Sequence, residues 1–562
     1  MMQEFTLSGN IVDVVHKRIY KGTLHINNGI IDRIEPHSKD AAGIAEKGDM
    51  SDESSRADRY ILPGLIDAHV HVESSMLVPS AFASLAVVHG TTGTISDPHE
   101  IANVLGMEGV RFMIENGKSV PFHFCFGAPS CVPATPFESS GASISADEVQ
   151  ELIQLDEVKY LSEMMNFPGV IHDDEAVMKK IQYARDAHKV IDGHAPLVSG
   201  DDLRKYIQSG ISTDHECTSI EEAREKLALG MKILIRESKV EKNLDELMPL
   251  IKSHPESVML CSDDANPSEL IHGHINLTIK KAVEKGYDLF DVLRAATLNP
   301  VKHYSLDNGL LQTGDSADMV VIDNLEDFGV LQTYVQGVKV AENGESLIKP
   351  VHASTPNRFH CDEITPDQLA VPARKGNIRV IQATDGALIT KSITAQPTEK
   401  NGFVVPDVEK DLLKVVVVNR YTRADPAVAF IRGFGLLKGA IASSIAHDSH
   451  NIIAVGTSDQ ELSKAINLII QNKGGIAYAD HQEQDILPLP VAGLMTNSDG
   501  HKVAETYNRI EEKAKQSGKN ALQTPFMTLS FMALLVIPEL KISDKGLFDG
   551  TRFQFTSLFT ET

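Results

Sequence analysis

Two histidines separated by a single residue, His69 and His71, stand in the segment AHVHVESSM, and Glu73 follows two residues later. On a β-strand the side chains of residues i and i+2 point to the same face, so both imidazoles could reach one metal ion. The alternative is a pair of unrelated polar residues at a strand end. A lone HxH pattern does not decide between the two.

Three more residues of ligand type follow later in the chain, each after a short apolar run. His194 ends VIDGHAP, His215 lies in STDHEC, and Asp263 lies in CSDDANP. Imidazole nitrogens and carboxylate oxygens are suitable ligands for zinc, iron(II) and manganese. This ordered series makes hydrogen-bonded core histidines the weaker alternative, and it predicts a metal-dependent site.

The segment from Pro63 to about His303 must position these residues. It alternates short apolar runs with longer helix-like stretches, which is typical of βα units around a parallel sheet. About eight of the runs end in polar residues, and the ligand-type residues stand at those ends. We therefore predict an α/β protein built on a (β/α)8 TIM-like barrel, with its active site at the carboxyl ends of the strands.

The flanking segments have a different pattern. Residues 1–62 contain short alternating strands with turn signals such as Asn28-Gly29, and similar strands return in residues 304–350. We expect these two segments to form one discontinuous small β-sandwich domain beside a barrel of residues 63–303. Residues 351–562 mix strands and helices again, which predicts an extra C-terminal α/β domain.

Bulk composition limits the possible partners. The chain of 562 residues carries 77 acidic and 53 basic residues, a formal charge of −24, which disfavours binding to nucleic acid. Its five cysteines are scattered without a CxxC pair, which favours a reducing compartment. The opening residues lack signal-peptide features, and the apolar runs fall short of the ~20 residues of a membrane helix. We expect a cytoplasmic protein with a small-molecule substrate and no membrane partner.

The sequence resembles the amidohydrolase superfamily and, within it, the adenine deaminase family. The HxH–H–H–D order belongs to the superfamily, whereas SEMMNFPGV and AHDSHNI point to the adenine deaminases. The resemblance covers nearly the whole chain, the C-terminal part included. Its other segments are PGLIDAHVHVESSM, GTTGTISDPHEIANV, DGHAP, STDHE, CSDDANP and LRAATLNPVKHYSL. It implies hydrolytic deamination of adenine to hypoxanthine and ammonia, a reaction of purine salvage.

The resemblance also implies a binuclear metal site. His69 and His71, with Asp263 near them, would hold the first ion, and His194 and His215 would hold the second. Many superfamily members bridge the two ions with a carboxylated lysine, but this chain has Glu163 at that place. That difference argues against a dihydroorotase or a hydantoinase. The family favours two manganese or iron(II) ions per subunit, with zinc possible, and a homodimer.

For the chemistry, the resemblance implies that a metal-activated hydroxide adds to C6 of adenine while the ring nitrogen N1 takes a proton. Asp263 can pass the water proton to the leaving amine. A second acid should face N1, and the sequence leaves four candidates open: Glu73, Asp97, His99 and Glu100. Each of them could instead orient a metal-bound imidazole.

Other polar residues remain ambiguous from sequence alone. The loop SSIAHDSHN carries His447, Asp448 and His450, which either close over the barrel mouth to contact the purine or the metals, or form a self-contained tight loop. Ser130 and Asp264 could shape the purine pocket or serve as turn residues.

Two further functions stay open beside adenine deamination. One is another hydrolase of the superfamily that acts on a cyclic amide or a different aminopurine. The other is a catalytically silent binding or assembly protein on the same barrel. The complete set of six ligand residues counts against the silent alternative.

Overall fold

The computed structural model describes residues 4–37, 59–238, 242–385, 387–519 and 522–560. The first strands are β1 (Glu4–Asp13), β2 (Arg18–Asn27), β3 (Ile30–Pro36) and β4 (Tyr60–Pro63). Asn28 and Gly29 both have positive φ, at 52° and 82°. These angles suit the tight turn that joins β2 to β3, as the Asn-Gly signal predicts.

Eight parallel strands follow and form the barrel wall. They are β5 (Leu65–Val70), β6 (Thr91–Ser96), β7 (His123–Ala128), β8 (Val158–Met164), β9 (Val190–Gly193), β10 (Thr213–Asp214), β11 (Lys232–Arg236) and β12 (Val258–Cys261). Strands β5 to β9 form one hydrogen-bonded sheet, and β10 to β12 form another.

Main-chain hydrogen bonds join the two sheets at both edges. The Ser212 N–H donates to the Ile191 carbonyl at 3.0 Å between β9 and β10. On the other side, the Asp263 N–H donates to the His69 carbonyl at 2.9 Å, and the His71 N–H donates to the Asp263 carbonyl at 3.1 Å. The barrel therefore closes at the residues of ligand type, and the predicted (β/α)8 fold is confirmed.

Helices cover the barrel between its strands. They are α1 (Pro79–Ala86), α2 (His99–Leu105), α3 (Met107–Gly117), α4 (Ala146–Ile153), α5 (Phe167–Ile171), α6 (Glu175–Asp186), α7 (Gly200–Gln208), α8 (Ile220–Ala228), α9 (Leu244–Leu247), α10 (Pro249–Ser253), α11 (Pro267–Leu270), α12 (Ile275–Glu284), α13 (Leu289–Ala295) and α14 (Leu298–Tyr304). Local sequence fixes several starts. Ser145 and Glu148 form a reciprocal capping box at α4, for example.

The chain then returns to the first sheet. Strands β13 (Met319–Ile322), β14 (Val330–Val335), β15 (Val338–Glu342) and β16 (Glu345–Ser346) join it through β13, which pairs antiparallel with β4. The result is one eight-stranded sheet built from two distant segments. Ile11, Ile61 and Met319 pack in one shared apolar cluster. The exact domain boundaries proposed from the sequence stay a prediction.

The C-terminal region has its own mixed sheet, flanked by smaller ones. Its strands are β17 (Val371–Pro372), β18 (Ile378–Gln382), β19 (Lys391–Ala395), β20 (Thr398–Lys400), β21 (Phe403–Val405), β22 (Leu413–Val418), β23 (Ala427–Arg432), β24 (Ala440–Ser443), β25 (Ile452–Gly456), β26 (Gly475–Ala479), β27 (Gln484–Pro488), β28 (Leu540–Ser543), β29 (Gly546–Asp549) and β30 (Gln554–Phe555). The main sheet has the order β19-β18-β23-β22-β25-β24-β26-β27.

Three helices accompany this sheet: α15 (Asp459–Gln471), α16 (Gly500–Gln516) and α17 (Pro525–Phe531). Leu462 and Ile466 of α15 pack against one face of the sheet. Phe526 and Leu529 of α17 belong to a large apolar cluster that also contains Leu77 of the barrel. The C-terminal region is thus packed onto the barrel. Within the described ranges, no helix has the length and apolar character that crossing a membrane requires.

Candidate active site

His69 and His71 lie at the carboxyl end of β5, beside the closure of the barrel. Their Nε2 atoms lie 3.4 Å and 3.2 Å from Asp263 Oδ1. His71 Nδ1 lies 3.1 Å from the main-chain carbonyl of Asp97. A hydrogen bond donated to that carbonyl fixes the tautomer of His71 and leaves its Nε2 free to bind a cation.

Glu163 lies between the two histidine pairs. Its Oε1 is 3.2 Å from His71 Nε2 and 4.0 Å from His69 Nε2. Its Oε2 is 2.8 Å from His194 Nδ1 and 3.2 Å from His215 Nε2. One carboxylate oxygen therefore faces each pair, which is the arrangement that a ligand shared between two cations needs.

The site contains buried polar atoms without a partner. Both ring nitrogens of His69 are buried, and neither has a hydrogen bond among the described residues. Buried polar atoms of this kind are rare in folded proteins and call for an unseen partner. His69, His71 and Asp263 place ligand atoms within 4.8 Å of one another, as do His69, Glu163 and His215. The nitrogen and carboxylate donors fit divalent metal ions.

The two carboxylates of this set are held in the charged form. Burial by itself would raise the pKa of Glu163, but hydrogen bonds from His194 and His215 hold it well below its ordinary value. The pKa of Asp263 is also well below its ordinary value, because His69 and His71 outweigh the effect of burial. Both side chains are therefore anionic at neutral pH.

Arg236 and Glu216 belong to the site, although the sequence did not single them out. Arg236 ends β11, and its Nη1 lies 2.6 Å from Asp263 Oδ2 and 2.8 Å from Glu216 Oε1. Because the guanidinium holds Oδ2, the other oxygen of Asp263 is directed at the histidines. A charged residue at the end of the apolar run KILIR was the signal that could have revealed Arg236.

The four candidates for a second acid take different positions. Glu73 accepts a hydrogen bond from the Ile101 N–H at 3.2 Å and does not line the pocket. Asp97 accepts one from the His99 N–H at 3.1 Å and lies behind the pocket wall. The structure brings the other two to the pocket: His99, whose Nδ1 is 3.5 Å from Glu163 Oε1, and Glu100.

The C-terminal loop reaches the barrel mouth. His447 Nδ1 lies 2.7 Å from Glu100 Oε1, and His450 Nε2 contacts the other oxygen of Glu100. His447 and Asp448 line the pocket, whereas His450 lies behind Glu100. Of the two alternatives for this loop, the structure places it over the barrel rather than by itself.

The remaining candidates separate clearly. Asp264 lines the pocket and accepts a hydrogen bond from the Ser74 hydroxyl at 2.5 Å. Ser130 does not reach the pocket, because its hydroxyl donates to the main-chain carbonyl of Glu163.

Six apolar side chains also line the pocket. We call them the apolar wall: Met165, Leu388, Phe531, Leu534, Val536 and Ile537. All except Met165 come from the C-terminal region. The sequence did not identify this wall, because FMALLVI has the composition of an ordinary core segment.

Comparisons with known proteins match both the barrel and the C-terminal region. A model of the amidohydrolase family matches residues 60–340, and a model of the adenine deaminase C-terminal domain matches residues 387–554. An adenine deaminase of Salinibacter ruber is 51% identical, with 100% of each chain covered. The chain belongs to the adenine deaminase family. Another member, from Methanosarcina mazei, is 50% identical over 98% of this chain and 99% of its own.

Two solved structures match part of this chain at low sequence identity. The β-aspartyl dipeptidase of Fervidobacterium islandicum has 14% sequence identity and a TM-score of 0.46, covering 63% of this chain and 99% of its own. N-acetyl-D-glucosamine-6-phosphate deacetylase of Mycobacterium smegmatis has 16% identity and a TM-score of 0.44, with 60% and 100% coverage. Membership of the adenine deaminase family, inferred above from motifs, is confirmed by the full-length relatives.

Proposed function

We infer that this protein is a hydrolase that converts adenine and water to hypoxanthine and ammonia, as its family name indicates. The observation that carries the proposal is Glu163, which lies between two histidine pairs in a pocket lined by both polar and apolar side chains. Adenine is a flat base with apolar faces and polar edges, so it suits a pocket of this character. Purine salvage is the expected context of the reaction.

Two divalent ions fit the donor atoms of this site. His69, His71 and Asp263 would hold one, His194 and His215 the other, and Glu163 both. Manganese, iron(II) and zinc all accept nitrogen and oxygen ligands. We propose manganese or iron(II) before zinc, because the family resemblance favours them. When bound, such ions lower the pKa of water so that hydroxide is available near neutral pH.

Asp263 is proposed to move the proton of the attacking water. Its Oδ1 faces His69 and His71, while Arg236 holds its Oδ2 at 2.6 Å. The carboxylate is therefore held in one orientation, beside the histidines and at the lining of the pocket. From there Asp263 takes a proton from the water and passes it to the amine, which leaves as ammonia.

The apolar wall gives the base its place in the pocket. Phe531, Leu534 and Ile537 line the same pocket as the polar groups. Contact with these side chains would orient the flat ring and exclude bulk water, which strengthens the electrostatic interactions of the charged groups.

The experiment that tests the reaction follows the ultraviolet spectrum of adenine. Purified protein is loaded in turn with manganese, iron(II) or zinc, and a fourth sample is treated with a chelator. We expect conversion to hypoxanthine with manganese or iron(II) and none with the chelator. Unchanged adenine in every sample, with two metal ions bound per chain, would show that the substrate is wrong; other aminopurines and cyclic amides would then be assayed.

The quaternary structure and the compartment are also proposals. We propose a homodimer in the cytoplasm, as the family resemblance and the scattered cysteines indicate. Light scattering coupled to size-exclusion chromatography tests the first: a mass near 61.3 kDa would instead identify a monomer.

A further inference from the structure

The contact between Glu100 and the C-terminal loop joins two distant parts of the chain at the pocket. Glu100 stands in the first turn of α2, at the carboxyl end of β6. Each of its carboxylate oxygens contacts a different histidine of the loop, His447 or His450. All three side chains are at most 6% exposed. A buried carboxylate with two histidine partners is a costly arrangement, so it needs a purpose beyond joining the two regions.

The two histidines differ in what their second nitrogen contacts. His450 Nδ1 accepts a hydrogen bond from the Ala446 N–H at 3.3 Å, so its Nε2 carries the proton donated to Glu100. His447 uses Nδ1 for Glu100, and within the described residues no hydrogen bond involves its Nε2. His447 lines the pocket, whereas His450 does not. His447 is therefore the histidine that can offer a free ring nitrogen to a bound base.

We propose that His447, held by Glu100, is the acid that protonates the ring nitrogen N1 of adenine. This rests on the proposed deamination and adds the group that the sequence left unassigned. His450 is a positioning residue, because it acts on His447 only through Glu100. Phe531, whose ring centroid lies 5.4 Å from that of His447, supports the imidazole from the apolar side.

The reaction balances with His447 in this role. The oxygen of water forms a bond to C6, one water proton passes to Asp263, and the His447 imidazolium gives its proton to N1. The C6–N bond then breaks with its electron pair going to nitrogen, and the proton on Asp263 completes ammonia. The remaining hydroxyl proton is released as C6 becomes a carbonyl, and it restores the imidazolium. The products are hypoxanthine with a proton on N1, and ammonia.

The charged groups around His447 favour its protonated form, the imidazolium, at neutral pH. The groups that face it are Glu100, Asp264, Asp448 and His450. Burial lowers the pKa of His447, but the three carboxylates, led by Glu100, outweigh burial and raise it to about 10. The pKa of Glu100 is held well below its ordinary value, because the histidines outweigh burial. The imidazolium is therefore present below pH ~10 and is lost as pH rises through that value.

The test compares His447→Gln with the wild type and with His481→Gln, an exposed histidine of the same region. Glutamine can donate a hydrogen bond but cannot transfer a proton. We expect kcat with adenine to fall ~10²- to 10⁴-fold in His447→Gln, with a much smaller change in KM. We expect kcat of the wild type to fall at alkaline pH, as His447 loses its proton, and we expect this fall to be absent from the residual activity of His447→Gln. His481→Gln should match the wild type throughout.

Glu100→Gln is a second test, needed if His447→Gln does not fold with the metal content and thermal midpoint of the wild type. Glu100→Gln leaves His447 intact but removes its main anionic partner, so the alkaline fall of kcat should move to lower pH. Wild-type kcat and an unchanged pH profile in a folded His447→Gln, or an unmoved profile in Glu100→Gln, would overturn the proposal. If the wild type itself leaves adenine unchanged, the proposed function fails first.

Discussion

At the residue scale, Glu163 combines two properties that neither histidine pair has alone: it is negatively charged, and it presents one oxygen to each pair. The family resemblance predicts a bridging role for Glu163 from its position in LSEMM, and that role stays a prediction. Sequence spacing could not show which oxygen faces which histidine, because that depends on how far β8 and β9 are staggered in the barrel wall.

Removal of the negative charge of Glu163 should weaken the binding of the two proposed metal ions. Glu163→Gln keeps the size of the side chain but loses the anion that His194 and His215 face. We expect the metal content, measured by mass spectrometry after gel filtration, to fall below two ions per chain. We expect deaminase activity to fall at least ~100-fold, which is more than the usual effect of losing a residue that only orients a metal ligand. The exposed Glu505→Gln is the matched control. Two tightly held ions in Glu163→Gln would contradict the shared-ligand assignment.

At the element scale, the joint between β5 and β12 positions His69 and Asp263 together. Asp67 in β5 is completely buried, and its Oδ1 accepts hydrogen bonds from the Ser262 N–H at 3.0 Å and the His69 N–H at 3.3 Å. Its Oδ2 lies 2.8 Å from His274 Nε2 at the start of α12. One side chain thus ties together three elements at the mouth of the barrel.

Loss of the Asp67 carboxylate should therefore weaken both the fold and the site. Asp67→Ala leaves the His274 ring and the Ser262 amide without their buried partner, so we expect unfolding to become easier by ~3–5 kcal/mol. Urea denaturation measures the change, and Asp67→Asn, which keeps acceptor capacity on one side, should lose less. Equal stability of Asp67→Ala and the wild type would show that the joint is held by main-chain hydrogen bonds alone.

The strands and helices also show which features of the protein could be predicted from its sequence. The barrel was predictable because its strands are short apolar runs that end in residues such as His194 and Asp263, and strand ends share one rim. The contact of Glu100 with His447 was not predictable, since 346 positions in the chain separate them and no local pattern encodes the docking of two regions. Asp97 and Glu73 were candidates of equal standing until their hydrogen bonds to main chain placed them behind the pocket.

At the scale of the whole molecule, the pocket exists because two parts of the chain meet. The barrel supplies most of the polar residues that line the pocket. The C-terminal region supplies nearly all of the apolar wall together with His447 and Asp448. Such a division lets one barrel keep its ligand chemistry while another region sets the shape of the pocket. It explains why the amidohydrolase pattern alone left the substrate open in the sequence.

Because the apolar wall and most of the polar residues come from different regions, we expect a change in the apolar wall to alter KM and leave kcat nearly unchanged. Leu534 is half-buried, lines the pocket and has no group that can transfer a proton, so Leu534→Ala should weaken contact with adenine about equally in the ground state and the transition state. Removing part of a buried Leu contact costs ~1–2 kcal/mol, which corresponds to KM rising ~5- to 30-fold with kcat little changed. Leu437→Ala, an exposed leucine of the same region, is the control and should leave both constants unchanged. A fall in kcat without a rise in KM for Leu534→Ala would mean that the apolar wall acts on the transition state, so that the C-terminal region contributes to the chemical step through more than His447.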